Sequence, residues 1–319
     1  MRAVFFAFRG NTLESNIGAI NEGRETAVSQ ENYSVLMSVY FKEQPNNLRQ
    51  AMESMRQQTV PSDDFVLVCD GPLTDELDAV IEEEQERLGS VLHVLRLEKN
   101  EKLGNALNEG LRLCKNELVA RMDSDDISRP YRCEKQLELF EQYPDICLSS
   151  GTVYEFVTDP DHPTGKRTLP ITDAEIRVFS RKRNPMNHPC VMFKKSTVES
   201  AGGYKEIYHL FEDYYLWVRM LMKGYKARNT KDVLLDMRSP ADMYLRRGGK
   251  KYADDMLRFH QWMKQSRWSS EVDYLSSAVP HAVVCVLPNG VRKLVYGKLH
   301  GGAEMNIDKT RNTSGGGIT

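Results

Sequence analysis

Residues 119–130 read VARMDSDDISRP, an apolar run that leads into three carboxylates, Asp123, Asp125 and Asp126. Aspartate is a poor strand former and a poor occupant of a helix interior, and clustered like charges repel. Keeping three of them together at the end of an apolar segment needs something to compensate the charge. What that is depends on the element that delivers the cluster.

Working outward from the cluster, ELVARM (117–122) has the length and apolar content of a buried strand. Upstream, SVLMSVY (34–40), FVLVCD (65–70) and VLHVLRL (91–97) read the same way. Between them lie helical patterns. One starts at Pro45, with Leu48, Met52 and Met55 on one face. A Glu-rich stretch covers about 73–88. LGNALNEGLRLC (103–114) puts Leu103, Ala106, Leu107, Gly110, Leu111 and Cys114 on one stripe. Strands alternating with helices at this spacing predict βαβ units and a parallel sheet. In such a sheet ligands bind at the carboxyl ends of the strands, where Tyr40, Asp70 and Asp123–Asp126 all fall.

Downstream, the pattern predicts a helix at about 130–143, a strand near ICLSSGTVYEFV and a loop over 158–170. It then predicts a short strand at 188–195, a helix from Ser196 ended by glycines, and a well-buried helix over 211–224. Residues 1–31 form a polar leader without clear periodicity, and the last residues, 301–319, have the composition of a disordered tail.

Three readings of the acidic cluster compete. As an EF-hand loop beginning at Asp123, it would have Glu134 at the twelfth position, but Ser128 replaces the required glycine at the sixth and a strand precedes the loop. Helix capping by Asp125 or Asp126 needs one aspartate, not three. A D-x-D at a strand end can share one hard divalent cation with a diphosphate, and the cation would relieve the repulsion. The sheet context favours this last reading.

The chain has 319 residues, 43 basic and 45 acidic, so no net field argues for nucleic acid. Its basic runs, RKR at 181–183 among them, read first as solvated faces. Six cysteines without a C-x-x-C pair, several inside apolar runs, suit a reducing compartment. No stretch reaches the roughly 18 apolar residues that span a bilayer, and a cytoplasmic location is expected.

Taken in order, SVLMSVYFKE, FVLVCDGP, KLGNALNEGL, VARMDSDDISRPYR, NHPCVMFKKS, GGY and FEDYYLWVRM resemble the family 2 glycosyltransferases of the bacterial surface-polysaccharide type. The resemblance covers about 33–250. It implies a GT-A fold, in which a Rossmann-like, mostly parallel nucleotide-binding sheet is flanked by helices. That domain would span 32–250, followed by a helical C-terminal extension over 251–300. It also implies an inverting enzyme that moves a sugar from a nucleotide-sugar, with UDP as the expected nucleotide, to a glycan or lipid-linked acceptor, using Mn²⁺ or Mg²⁺.

The resemblance carries over residue by residue. Val39, Tyr40 and Asp70 match positions that hold the nucleotide base, and Gly104 and Asn105 match a segment packed near the nucleotide. Asp123, Ser124 and Asp125 form the D-x-D. Asp123, Asp125 and Asp126 are the metal ligands, with the choice between Asp125 and Asp126 as main ligand left open. Asp213, with Glu212 beside it, matches the catalytic base. His188 matches a segment that lines the sugar and acceptor side. Arg246 and Arg247 in MYLRRGGKKY, with Arg238 as a further candidate, are placed to clamp the diphosphate. Each has a plainer alternative: a turn for Asp70, a helix start for Gly104 and Asn105, a loop surface for the arginines.

The stretch 283–299 is amphipathic and basic, which suits either the bilayer surface or a helix packed on the domain. A non-catalytic nucleotide-sugar-binding protein of the same fold is the rival from another class, and the D-x-D together with Asp213 argues against it. A nucleotidyltransferase is disfavoured because SVYFKEQP contains no Gly- and Arg-rich phosphate loop.

Overall fold

The computed structural model describes residues 32–239 and 248–288. The expected leader, Arg246, Arg247, residues 289–299 and the tail lie outside the described residues.

Alternation along the first strand decides which helix packs where. In β1 (Tyr33–Val39), Val35, Met37 and Val39 face one side of the sheet and Leu36 the other. β2 (Asp64–Cys69) divides in the same way and is buried throughout, as a central parallel strand must be. On the first side pack α1 (Pro45–Arg56), through Leu48, Ala51, Met52 and Met55, and α2 (Asp75–Leu88), through Leu77, Val80 and Ile81. On the other lies α3 (Leu103–Leu113) with Ala106, Leu107 and Leu111. Gly110 lets α3 settle close, because a Cβ there would stand 2.5 Å from Val68 Cγ2 and 2.6 Å from Leu36 Cδ1.

β3 (Leu92–Arg96) and β4 (Leu118–Asp123) complete a parallel group, β4-β1-β2-β3. The sheet continues beyond β4 in another sense. β9 (Met192–Lys194) pairs antiparallel with both β4 and β6 (Ile146–Ser149), and β10 (Lys226–Ala227) pairs parallel with β6. The seven-stranded order is β10-β6-β9-β4-β1-β2-β3.

A second sheet, ordered β5-β11-β7-β8, was not anticipated. It comprises β5 (Ile127–Ser128), β7 (Thr152–Phe156), β8 (Gly165–Arg167) and β11 (Val233–Arg238). The single strand expected near ICLSSGTVYEFV is therefore two strands in different sheets, joined at Ser150-Gly151. A Cβ on Gly151 would lie 2.6 Å from Leu234 Cδ1 of β11, so glycine allows the crossing. The loop expected over 158–170 contains the short β8.

α4 (Arg132–Gln142), α5 (Asp173–Phe179) and α6 (Lys195–Ser200) cover the sheets, and α7 (Glu212–Met222) is buried on most sides. Leu216, Trp217 and Met220 of α7 join the α3 side of the core. Its opposite face packs through Tyr214, Tyr215 and Val218 on α8 (Lys250–Gln265), using Tyr252, Met256, Phe259 and Met263. α9 (Val279–Val286) closes that cluster with Ala282 and Cys285. All six cysteines are buried, as apolar packing residues are. Among the described residues no helix is long and apolar enough to cross a membrane.

Candidate active site

β1, β2 and β4 are parallel and in register, so they end together and bring residues 39, 70 and 123 to one edge. The Asp70 amide donates to the Val39 carbonyl at 2.8 Å, joining two of these ends. Asp70 Oδ1 accepts from the Glu101 amide at 2.6 Å and Oδ2 from the Asn100 side chain at 2.9 Å, so its carboxylate holds the turn that enters α3. Burial pushes the Asp70 pKa up, against the pull of the Glu101 and Lys102 amides. Tyr40 and Phe41 stand exposed at the same edge with their ring centroids 5.9 Å apart.

The Gly104 amide donates to Glu206 Oε1 at 2.9 Å, and the Asn105 side chain donates to the Glu101 carbonyl. Both residues therefore have local partners at the start of α3.

The acidic cluster closes on itself. One carboxylate oxygen from each of Asp123, Asp125 and Asp126 lies within 4.8 Å of the others. β5 and β11 make this possible: β5 follows the cluster directly and pairs antiparallel with β11, which turns the chain back. The Arg238 amide donates to Asp126 Oδ1 at 2.7 Å, and Arg238 Nε donates to the Asp125 carbonyl at 3.0 Å. Its guanidinium lies 4.7 Å from the Phe156 ring centroid, so Arg238 is fixed at the rim of the cluster. Burial, then the charges of Asp123 and Glu43, raise Asp125 to about 7. Asp126, more deeply buried beside both other aspartates, is likewise pushed well up. An all-oxygen donor set in which protons are held against like charge fits a hard divalent cation, and Asp123, Asp125 and Asp126 would hold it.

Three contributors escaped the sequence reading. Glu43 accepts from Ser124 Oγ at 3.0 Å and adds a fourth carboxylate beside Asp125. Arg121, 1% exposed, donates to Asp123, while its Nε and Nη1 have no partner among the described residues. Asn184 donates to Asp213 Oδ2 at 2.6 Å. Alternation in β4 would have put residue 121 inside the core, where an arginine is an anomaly worth noticing; the other two depend on chain crossings that no local pattern encodes.

Glu212 and Asp213 open α7, where the helix dipole favours anions. Burial and the neighbouring Asp213 raise Glu212 to about 8. Tyr204 lies between this pair and the cluster: burial raises its pKa, and Asp213, Glu212 and Asp123 all act on it. His188 is half-buried. Its Nε2 lies 3.1 Å from the Tyr204 hydroxyl, its ring is against Trp217, and loss of hydration together with Arg121 keeps it neutral. The structure thus brings Asp123, Asp125, Asp126, Ser124 and Arg238 together, links them through Arg121 and Tyr204 to Glu212 and Asp213, and puts Asp70 at the end of β2, on the far side of β1 from β4.

The family model described as Glycosyl transferase family 2 matches residues 34–200, just over half of the chain. The chain belongs to glycosyl transferase family 2. This glycosyltransferase is 44% identical over 221 residues to the amylovoran biosynthesis glycosyltransferase AmsE of Erwinia amylovora, covering 69% of this chain and 81% of AmsE. It is 36% identical over 267 residues to the UDP-Gal:alpha-D-GlcNAc-diphosphoundecaprenol beta-1,3-galactosyltransferase of Escherichia coli, covering 84% of this chain and 96% of that enzyme. Its fold is GT-A, shared with the mannosyltransferase PcManGT of Pyrobaculum calidifontis at a TM-score of 0.59 and 16% identity, over 85% of this chain and 81% of that one. TarS of S. aureus matches at a TM-score of 0.56 and 16% identity, over 73% of this chain and 40% of the TarS chain.

Proposed function

We propose that this glycosyltransferase moves a hexose from a UDP-sugar to a lipid-linked glycan acceptor, with inversion at the anomeric carbon, in bacterial surface-polysaccharide synthesis. The observation that carries the reading is the closed triad of Asp123, Asp125 and Asp126 on the strand-end edge that also bears Asp70. A half-buried acidic triad has no packing purpose, and its charge matches a cation–diphosphate complex. The choice of donor and acceptor draws support from the E. coli relative, whose name gives UDP-Gal and a diphosphoundecaprenol-linked GlcNAc. PcManGT was solved with GDP-Man and Mn²⁺, which supports divalent-metal use.

In this reading Tyr40 stacks on the nucleotide base and Asp70 positions the turn beside it. The Arg238 guanidinium, fixed beside Asp125, adds positive charge near the diphosphate. Mn²⁺ or Mg²⁺ held by the triad would neutralise charge on the departing diphosphate. Asp213, oriented by Asn184, takes the proton of the acceptor hydroxyl as its oxygen bonds to the anomeric carbon. The bond from that carbon to the diphosphate oxygen breaks on the opposite face. The electron pair leaves with UDP, and the configuration inverts.

The test is transfer from radiolabelled UDP-Gal to a diphosphoundecaprenol-linked GlcNAc acceptor, with UDP-GlcNAc, UDP-Glc and GDP-Man as comparison donors. Transfer from a UDP-hexose with an inverted linkage supports the reading. A retained linkage, or transfer from GDP-Man alone, overturns it.

A further inference from the structure

Helical turns run from Glu271 to Val286 and bury Ala278, Ala282 and Cys285 toward the protein. The solvent-facing side shows Val272, Leu275, Val279, Val283 and Val286, between 36% and 71% exposed. They recur at intervals of three and four, which makes one aliphatic row instead of scattered surface residues. No described residue covers them.

Basic charge borders this row. Lys182 Nζ lies 3.3 Å from Asp273 Oδ1, and Trp268 Nε1 donates to Ser180 Oγ at 3.2 Å, so the turn at 180–183 abuts the start of the row. Arg181, Lys182 and Arg183 are exposed there. The nearby acids are partnered: Asp273 by Lys182, and Glu271 by Lys264 at 2.9 Å. After Pro288 the sequence continues with Arg292, Lys293, Leu294 and Val295, the same mixture of basic and aliphatic residues.

We propose that the Val272–Val286 row, bordered by Arg181–Arg183, docks this glycosyltransferase on an anionic lipid bilayer. Aliphatic side chains that enter the acyl boundary, beside basic residues at headgroup level, are the pattern of an interfacial helix. A protein partner would be expected to meet aromatic or arginine anchors in a packed pocket, and the row has none. The geometry also aims the active site. The residue after the basic run is Asn184, which holds Asp213, so docking sets the base beside the bilayer surface. That last consequence rests on the lipid-linked acceptor proposed above; the docking itself does not.

Sedimentation of the full-length chain with vesicles of phosphatidylcholine alone, and of phosphatidylcholine with phosphatidylglycerol, tests the proposal. The chain should pellet with the anionic vesicles, stay in solution with the neutral ones, and be released by salt. Val279→Asp with Val283→Asp, and separately Arg181→Glu with Arg183→Glu, should each weaken partitioning about tenfold or more. Melting temperature and UDP binding should stay unchanged in both. A full-length chain that ignores anionic vesicles overturns the proposal, as does equal pelleting of the Val279→Asp, Val283→Asp variant. A lipid-free dimer that this variant dissociates also overturns it, since a second copy would then be the occupant. Docking without transfer to a lipid-linked acceptor refutes the acceptor reading alone. Transfer to that acceptor in detergent without docking refutes the surface alone.

Discussion

Arg121 donates from full burial to Asp123, the first aspartate of the triad, while its Nε and Nη1 have no partner among the described residues. A guanidinium in the core is costly unless its charge is used. Here it offsets part of the charge of three aspartates on one side and faces Glu212 on the other.

Arg121→Met is therefore expected to destabilise the metal-free enzyme by about 2 kcal/mol, less than a fully buried pair costs when broken because Asp123 is one-third exposed. Urea unfolding measures this. Added Mn²⁺ with UDP should raise the melting temperature of the variant more than that of the wild type, since the cation takes over the neutralising role.

Asp213→Asn should lower the transfer rate by about 10²–10⁴-fold. Calorimetric titration with UDP should give an unchanged affinity. Asn184→Ala leaves the carboxylate in place but unheld, so a smaller fall in kcat, about tenfold, is expected.

Stability of the metal-free enzyme should fall as pH rises above 6.5, the ordinary histidine value. Glu212 is raised to about 8 from an ordinary 4.5, so between these values the folded chain keeps a proton that the unfolded chain has lost. Asp125 acts in the same sense between 3.8 and about 7. Unfolding free energy then declines with pH above 6.5 and levels off above about 8, whereas below 6.5 the buried His188 and His260, whose pKa values are lowered, act in the opposite sense. Denaturant midpoints in a pH series check the sign, and saturating Mn²⁺ should flatten the Asp125 part.

Gly110→Ala tests the packing of α3. A Cβ at that position meets Val68 and Leu36 at contact distances no side chain tolerates, so a loss of about 1–3 kcal/mol is expected from the helix shifting outward. Gly89→Ala is a poor control because its φ is +55°. Arg112→Ala, exposed on the same helix, is the better one.

Much of the fold could be read from the chain because its central strands are buried on both faces. That burial writes continuous apolar runs such as FVLVCD, and the acidic cluster stands out against the one that precedes it. The second sheet could not be read in this way. Its strands are two to six residues long, and VLLDMR pairs with segments far away in sequence. The short strand expected over 188–195 contains β9, but its antiparallel direction is given only by its partners. Within the site, Asp123–Asp126 announced themselves by charge density. Glu43 and Asn184 act across chain crossings and carry no local mark.

The central claim is that the triad at the end of β4 grips a cation bound to a nucleoside diphosphate. Calorimetric titration of UDP into the wild type and Asp125→Asn, each with Mn²⁺ and with EDTA, tests it most directly. The account predicts that EDTA weakens wild-type binding by about tenfold or more, and that Asp125→Asn binds equally weakly with or without the metal. UDP binding that is indifferent to EDTA in the wild type, or fully metal-dependent in Asp125→Asn, would contradict it.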